Sequence, residues 1–163
     1  REVVVREIGF DGQAAVLSAR AQAASGAAVL LSIHHDSMQQ AWLDAGWANR
    51  FKGFSVFVSQ KNPAFMTSLQ CARLLGAAMR EAGEAPSLYH AVGEHRPLLD
   101  RENGVHQFDN LVVLKQATVP AVLLEIGVIV NPQEAVRLSQ SAVIEKLAHT
   151  LAPALMACSQ LAR

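Results

Sequence analysis

An excess of charge of either sign is missing from this chain. Its 14 lysines and arginines balance 14 aspartates and glutamates, so nothing electrostatic points to nucleic acid or an anionic membrane as partner. No apolar run approaches the roughly 20 residues of a membrane span, and no secretory signal is visible. A glycine-rich phosphate loop is absent, which argues against nucleotide binding. There is no Gly-x-Ser-x-Gly elbow, and Ser32, His34 and Asp36 lie too close together on one strand end for relay geometry, so a nucleophilic triad is a weak reading. Cysteine is nearly absent. Cys71 and Cys158 sit in helix-like apolar patterns far apart in sequence and read as two buried free thiols, silent about redox compartment. A starting methionine is also lacking: the chain opens in mid-pattern at Arg1-Glu2-Val3-Val4-Val5, from which upstream residues are expected to have been removed or to be absent.

What remains is a globular composition. The 163 residues, 51% hydrophobic and 17% charged, suit one domain with a sizeable core. Val3 to Val5 reads as a short strand, and Asp11-Gly12 opens a helical stretch to about Ala24, stopped by Ser25-Gly26. Ala27 to Ile33 is the next strand, followed by an irregular segment or short helix to Lys52. Gly53 to Ser59 alternates as a strand should. Asn62-Pro63 then starts a long helix on which Phe65, Leu69, Ala72, Leu75 and Met79 follow helical spacing to Gly83. Pro86 to Gly104 has no period. Leu111 to Leu114 and Ala121 to Ile126 read as two further strands, Pro132 starts a helix, and Val143 to Met156 is a final helix interrupted late by Pro153. Alternating strands and helices imply an α/β fold: a single three-layer domain, its sheet mostly parallel, with helices on both faces.

Two strand ends carry chemistry. Pro120-Ala121-Val122-Leu123-Leu124 is apolar enough to be a core strand, yet it runs into Glu125 just before Gly127. Burying an ionised carboxylate is costly unless it is paired, metal-bound or used in chemistry. A structural pairing with Arg20 or Lys115 is the plainer reading of Glu125; catalysis is the favoured one. Val29-Leu30-Leu31-Ser32-Ile33 runs likewise into His34-His35-Asp36. Alternation lets His34 and Asp36 share a face and sends His35 to the other. His34 is either a core histidine satisfied by backbone or a metal ligand at a strand's C-terminal end, where open α/β sheets place their sites. Trp42, Trp47 and Phe51 follow, among Asp44, Asn49 and Arg50. They form a binding wall or seal the end of the sheet.

Taken in order, Ser32-Ile33-His34-His35-Asp36-Ser37, Gly53 to Ser59, Pro120 to Gly127 and Asn131-Pro132-Gln133-Glu134 resemble the zinc-dependent N-acetylmuramoyl-L-alanine amidases of bacterial cell-wall turnover. Leu17-Ser18-Ala19-Arg20 resembles the family's leucine-x-x-arginine turn, and Val112-Val113-Leu114-Lys115 its strand before the glutamate strand. The resemblance implies a hydrolase that cleaves the amide between N-acetylmuramic acid and the L-alanine of the stem peptide. It implies zinc as cofactor with His34 as one ligand, Glu125 as the catalytic base, and Asp36 as a group orienting a ligand or the loop. Trp42, Trp47, Asn49 and Arg50 would meet the substrate. The family's first histidine, from a Gly-His-Gly-Gly-like loop, and its ligating glutamate would both precede Val3 and are not in this sequence. Residues 1–163 are thus expected to be an amidase catalytic domain lacking its N-terminal strand and helix. Peptidoglycan or muropeptide is the implied partner, with no nucleic acid and no membrane span, in the periplasm or outside the cell. Only Gln60-Lys61-Asn62 separates Ser59 from Pro63, so the blocking helix that some relatives insert there is not expected. The alternative is a metal-free, non-catalytic amidase-like module that binds wall fragments or a partner protein.

Overall fold

The computed structural model describes residues 3–9, 12, 16–92 and 96–162. Its centre is a five-stranded sheet built from β1 (Leu30–Asp36), β2 (Ser55–Val58), β3 (Leu98–Asp100), β4 (Val105–Gln107) and β5 (Ala121–Val128). The spatial order is β1-β5-β2-β4-β3. β1 runs parallel to β5 and β2 parallel to β4, whereas β2 meets β5, and β3 meets β4, antiparallel. Side-chain alternation splits the sheet's two faces between two cores. Val56 and Val58 of β2, with Val122 and Leu124 of β5, pack beneath α3 (Phe65–Glu81) and α6 (Ser141–Leu161). Phe57, Ala121 and Leu123 face the other way, toward α1 (Leu17–Ala23) and α4 (Val112–Gln116). The expected three-layer α/β domain is therefore what forms, and the helices of the second layer are short. They cover Ala121 and Leu123 and stop before the next outward residue of β5 on that face, which is Glu125.

Two ties fix the strand ends around that gap. Asn131 precedes α5 (Pro132–Leu138), and its Oδ1 accepts the Gln133 and Glu134 backbone N–H groups, satisfying donors the first turn leaves free. Its Nδ2 donates to Phe51 O at 3.0 Å, and buried Glu134 accepts the Gly53 N–H at 3.0 Å. Gly127 is required here. A Cβ would lie 2.5 Å from Leu138 Cδ1 and 2.7 Å from Glu134 Oε2. On the opposite side, buried Asn62 donates through Nδ2 to the carbonyls of Leu114, Ala117 and Val119, closing the C-terminal end of α4.

Several expectations are corrected. Val3 to Val5 is not a strand: Val4 is 89% exposed, and β propensity is realised only against a partner, which no described strand provides. The helix expected from Asp11 starts at Leu17; Asp11 itself lies outside the described residues. Leu17 to Arg20 is the first turn of that helix, within the helical stretch expected to reach about Ala24. Leu111 to Leu114 is not a strand. Val112–Gln116 is α4, with Val113 and Leu114 buried against the second core, a case in which a four-residue apolar run carries no period to separate helix from strand. β1 starts later than expected and runs on through His34 and His35 to Asp36. α6 continues unbroken through Pro153. Cys71 and Cys158 are not free thiols but a disulfide joining α3 to α6, with Cα atoms 5.0 Å apart. Their 87-residue separation in sequence hid an adjacency that only the packing of the two long helices creates. Of the two readings left open for the segment before Lys52, irregular or a short helix, the structure has the helix, α2 (Gln40–Asp44).

Candidate active site

The register of β1 on β5 sets His34 directly opposite Glu125, and β5 on β2 sets Glu125 opposite Ser55. Imidazole and carboxylate thus come from adjacent strands. They line one cleft of about 570 Å³, shared with Asp36, Trp42, His90 and Arg96 and walled by Phe57 and Phe108. The parallel pairing slips between His34 and Asp36, and Asp36 pairs with His90. Its Oδ2 lies 2.5 Å from His90 Nε2, and its Oδ1 accepts the Ser37 N–H at 2.8 Å.

Burial dominates the titration of this cleft. Glu125 is pushed up from 4.5 to about 7, first by loss of solvent and then by the Asp36 charge, against a smaller opposing pull from Arg96. Its Oε2 is buried without a hydrogen-bond partner. Among the described residues Lys115 forms no ion pair with Glu125, and Arg96 is a cation that acts on it. An unpartnered carboxylate oxygen, half-protonated near neutrality, can both take and give a proton. His34 is held below its ordinary value, chiefly by burial and further by Arg20 and His35, so it presents a neutral imidazole. Its Nε2 lies 2.9 Å from Ser32 Oγ.

The other expected residues divide. Trp42 lines the cleft, in edge contact with Trp47 at 5.1 Å and stacked on Phe51 at 5.5 Å. Trp47 supports it from behind the lining, with the Arg50 guanidinium 4.4 Å over its ring. Asn49 is exposed and, like Arg50, lies off the lining. The structure adds His90 and Arg96, both from the stretch between Pro86 and Gly104 that shows no period, a stretch that contains β3 and leads into β4. His106 on β4 faces the same layer next to Phe57, fully buried with an unpartnered Nε2, and burial lowers its pKa to about 4.

A zinc site wants three protein ligands and an open position. Among the described residues no group of three histidine, cysteine, aspartate or glutamate side chains is placed to hold a metal ion. His34 offers one imidazole, His90 is taken up between Asp36 and Arg96, and Glu125 stands alone. These residues by themselves do not fit the ion.

Comparison with known proteins gives the geometry a family. A family model described as N-acetylmuramoyl-L-alanine amidase matches residues 3–157. No protein of the curated set matches significantly. Among solved structures, the N-acetylmuramyl-L-alanine amidase Ami1 from Mycobacterium smegmatis is 20% identical with a TM-score of 0.69, over 88% of this chain and 60% of that one. The N-acetylmuramoyl-L-alanine amidase from Clostridium difficile 630 is 21% identical with a TM-score of 0.65, over 87% and 64%. The catalytic domain of CwlV, an N-acetylmuramoyl-L-alanine amidase from Bacillus (Paenibacillus) polymyxa var. colistinus, is 21% identical with a TM-score of 0.64, over 90% and 66%. At such identities the likeness is one of fold, and the chain spans about 60% of the first structure's length.

Proposed function

Because this chain belongs to the N-acetylmuramoyl-L-alanine amidase family, we propose that it hydrolyses the amide between N-acetylmuramic acid and the L-alanine of the stem peptide. The observation that carries the reading is Glu125: a buried, unpartnered carboxylate oxygen with a pKa near 7, opening on a cleft at a strand end. Glu125 accepts a proton from the attacking water as its oxygen bonds to the carbonyl carbon. It returns that proton to the alanine nitrogen as the carbon–nitrogen bond breaks, so the carboxylate is regenerated. No covalent intermediate forms, and the mechanism uses no serine or cysteine nucleophile. Trp42 bounds the cleft on one side and, with Phe57 and Phe108, limits the water that reaches Glu125.

Zinc belongs to this proposal through His34 alone, whose neutral imidazole suits a ligand; its companions are not among the described residues. Residues 1–163 would then be part of the catalytic domain. The family and the disulfide together support a periplasmic or extracellular site of action, since disulfides persist in oxidising compartments. Peptidoglycan or its muropeptides would be the substrate.

One observation favours a second reading. With no three-ligand group among the described residues, the chain also suits a non-catalytic module that binds wall fragments or a partner protein. The full-length protein, assayed for zinc content and for release of L-alanine amino termini from muropeptides, separates the two. Under the amidase reading, Glu125→Gln keeps the metal content of the wild type and lowers turnover by roughly 10²–10⁴. Near-normal release in that variant removes Glu125 from the mechanism, and no release by the zinc-loaded wild type leaves the binding module.

A further inference from the structure

The cleft holds a cation that the hydrolysis above does not use. Arg96 lies half-buried, its guanidinium carbon 3.8 Å from the centroid of Phe108 and 5.5 Å from that of Phe57. It donates a hydrogen bond to His90 Nδ1. That bond makes Nδ1 an acceptor, so the imidazole proton sits on Nε2 and points to Asp36 Oδ2. His90 is itself wedged between Phe57 at 4.9 Å and Tyr89 at 4.7 Å. Asp36, His90 and Arg96 thus form one line of hydrogen bonds that fixes the guanidinium in place. A guanidinium has five N–H donors. Among the described residues its one hydrogen-bonding partner is His90, and no carboxylate comes within ion-pair distance. Asp36 and Glu125 act on this half-buried charge only from a distance and do not offset its burial, a costly arrangement, yet the guanidinium is held through His90 by Asp36 and stacked on an aromatic face. It lines the same cleft as Glu125 and His34.

We propose that Arg96 is the carboxylate-binding residue of this cleft, and that it takes a free carboxylate on the peptide half of the substrate. The inference rests on the amidase reading. In that substrate the carboxyl of muramic acid is consumed in the scissile amide and the acetylated sugars are uncharged, so the carboxylates lie on the peptide side. A planar guanidinium held by one edge can pair with a carboxylate through two parallel N–H bonds. Arg96 therefore sets which peptides the cleft accepts: those whose residue next to alanine keeps its carboxylate, over those in which it is amidated.

Two cleaved-peptide probes test this without turnover. One is L-Ala-γ-D-Glu-L-Lys with an amidated C-terminus, in which the glutamate α-carboxylate is the only carboxylate; the other carries a carboxamide there. Calorimetry on the full-length protein at fixed pH and low salt should show the carboxylate probe binding roughly 10- to 100-fold tighter, the scale of a charge-assisted pair. Arg96→Gln should bring that ratio close to one while the carboxamide probe binds as before, and Arg96→Lys should leave an intermediate ratio. Should Arg96→Gln fail to fold, a ratio in Arg96→Lys below that of the wild type upholds the assignment. Equal affinities in the wild type, no binding of either probe, or a ratio unchanged by substitution overturns it. Failure of the amidase reading shows itself separately, as absence of released alanine amino termini from muropeptides.

Discussion

Removing the Cys71–Cys158 disulfide is the most direct quantitative test of the fold. The bridge closes a chain segment of 87 residues between the middle of α3 and the last turns of α6. If its effect is chiefly on the unfolded chain, the loop-closure relation ΔS ≈ −2.1 − 1.5R ln n gives roughly 4–5 kcal/mol at 25 °C for a loop of that size. Both sulfurs are buried within the core beneath α3 and α6, beside Ala72, Leu75 and Leu151, so replacing both cysteines with alanine leaves only a small gap and adds little to that figure. For a domain of this length the loss corresponds to a fall in Tm of about 10–18 °C. Urea unfolding of the wild type, of the wild type with reductant, and of Cys71→Ala/Cys158→Ala measures it. The reduced wild type and the double variant should coincide, with a larger m-value than the oxidised protein because their unfolded chain is less restricted. A loss below about 1 kcal/mol in both would refute the entropic account. Coincidence of the oxidised wild type with the double variant in m-value as well as in stability would show instead that the bridge does not form.

Three further outcomes follow from buried polar groups. Glu125 titrates near 7 in the folded protein against 4.5 ordinarily, so the folded state holds the extra proton between those values. Its stability contribution is complete below pH 4.5 and is lost as pH rises through 7; thermal melts should show Glu125→Gln gaining on the wild type from pH 5 to pH 8, and no such gain would mean the carboxylate is better solvated than the fold implies. His106 has the opposite sign: lowered to about 4 from 6.5, it contributes stability that is present above 6.5 and lost as pH falls through 4, so His106→Gln should flatten the acid limb of Tm against pH. Asn62→Ala strands the Leu114, Ala117 and Val119 carbonyls that Asn62 now satisfies and should cost roughly 1–3 kcal/mol by chemical denaturation.

The α/β class was readable because buried strands and amphipathic helices leave periods that survive in sequence. Val122 and Leu124 face one layer while Ala121 and Leu123 face the other, and a strand buried on both faces is a continuous apolar run. α3 showed its face through Leu69, Ala72, Leu75 and Met79, all buried. Short elements left no such trace. β3 and β4 have three residues each, too few to show alternation, and α4 with five residues offers barely one helical turn. Val3 to Val5 shows the converse, a run with the right residues and no described partner.

The candidate site divides along the same physical line. His34 and Glu125 could be singled out because each is a polar residue at the end of an apolar strand, a local contradiction that the chain itself displays. That they face each other depends on the register of β1 against β5, for which the matching lengths of the two apolar runs were the only hint. Arg96 and His90 contradict nothing around them. Surrounded by Gly93, Glu94, Pro97 and Asp100, an arginine reads as solvated surface, and its half-burial arises only because β2 and the segment before α4 bring Phe57 and Phe108 to it from 39 residues upstream and 12 downstream. A residue of ordinary character made functional by distant neighbours has no signature in its own stretch of chain. The cation of this cleft is therefore the part of the site that only the folded molecule can reveal, and the hydrogen-bonded line from Asp36 through His90 is what distinguishes it from a surface arginine that happens to lie near a cavity.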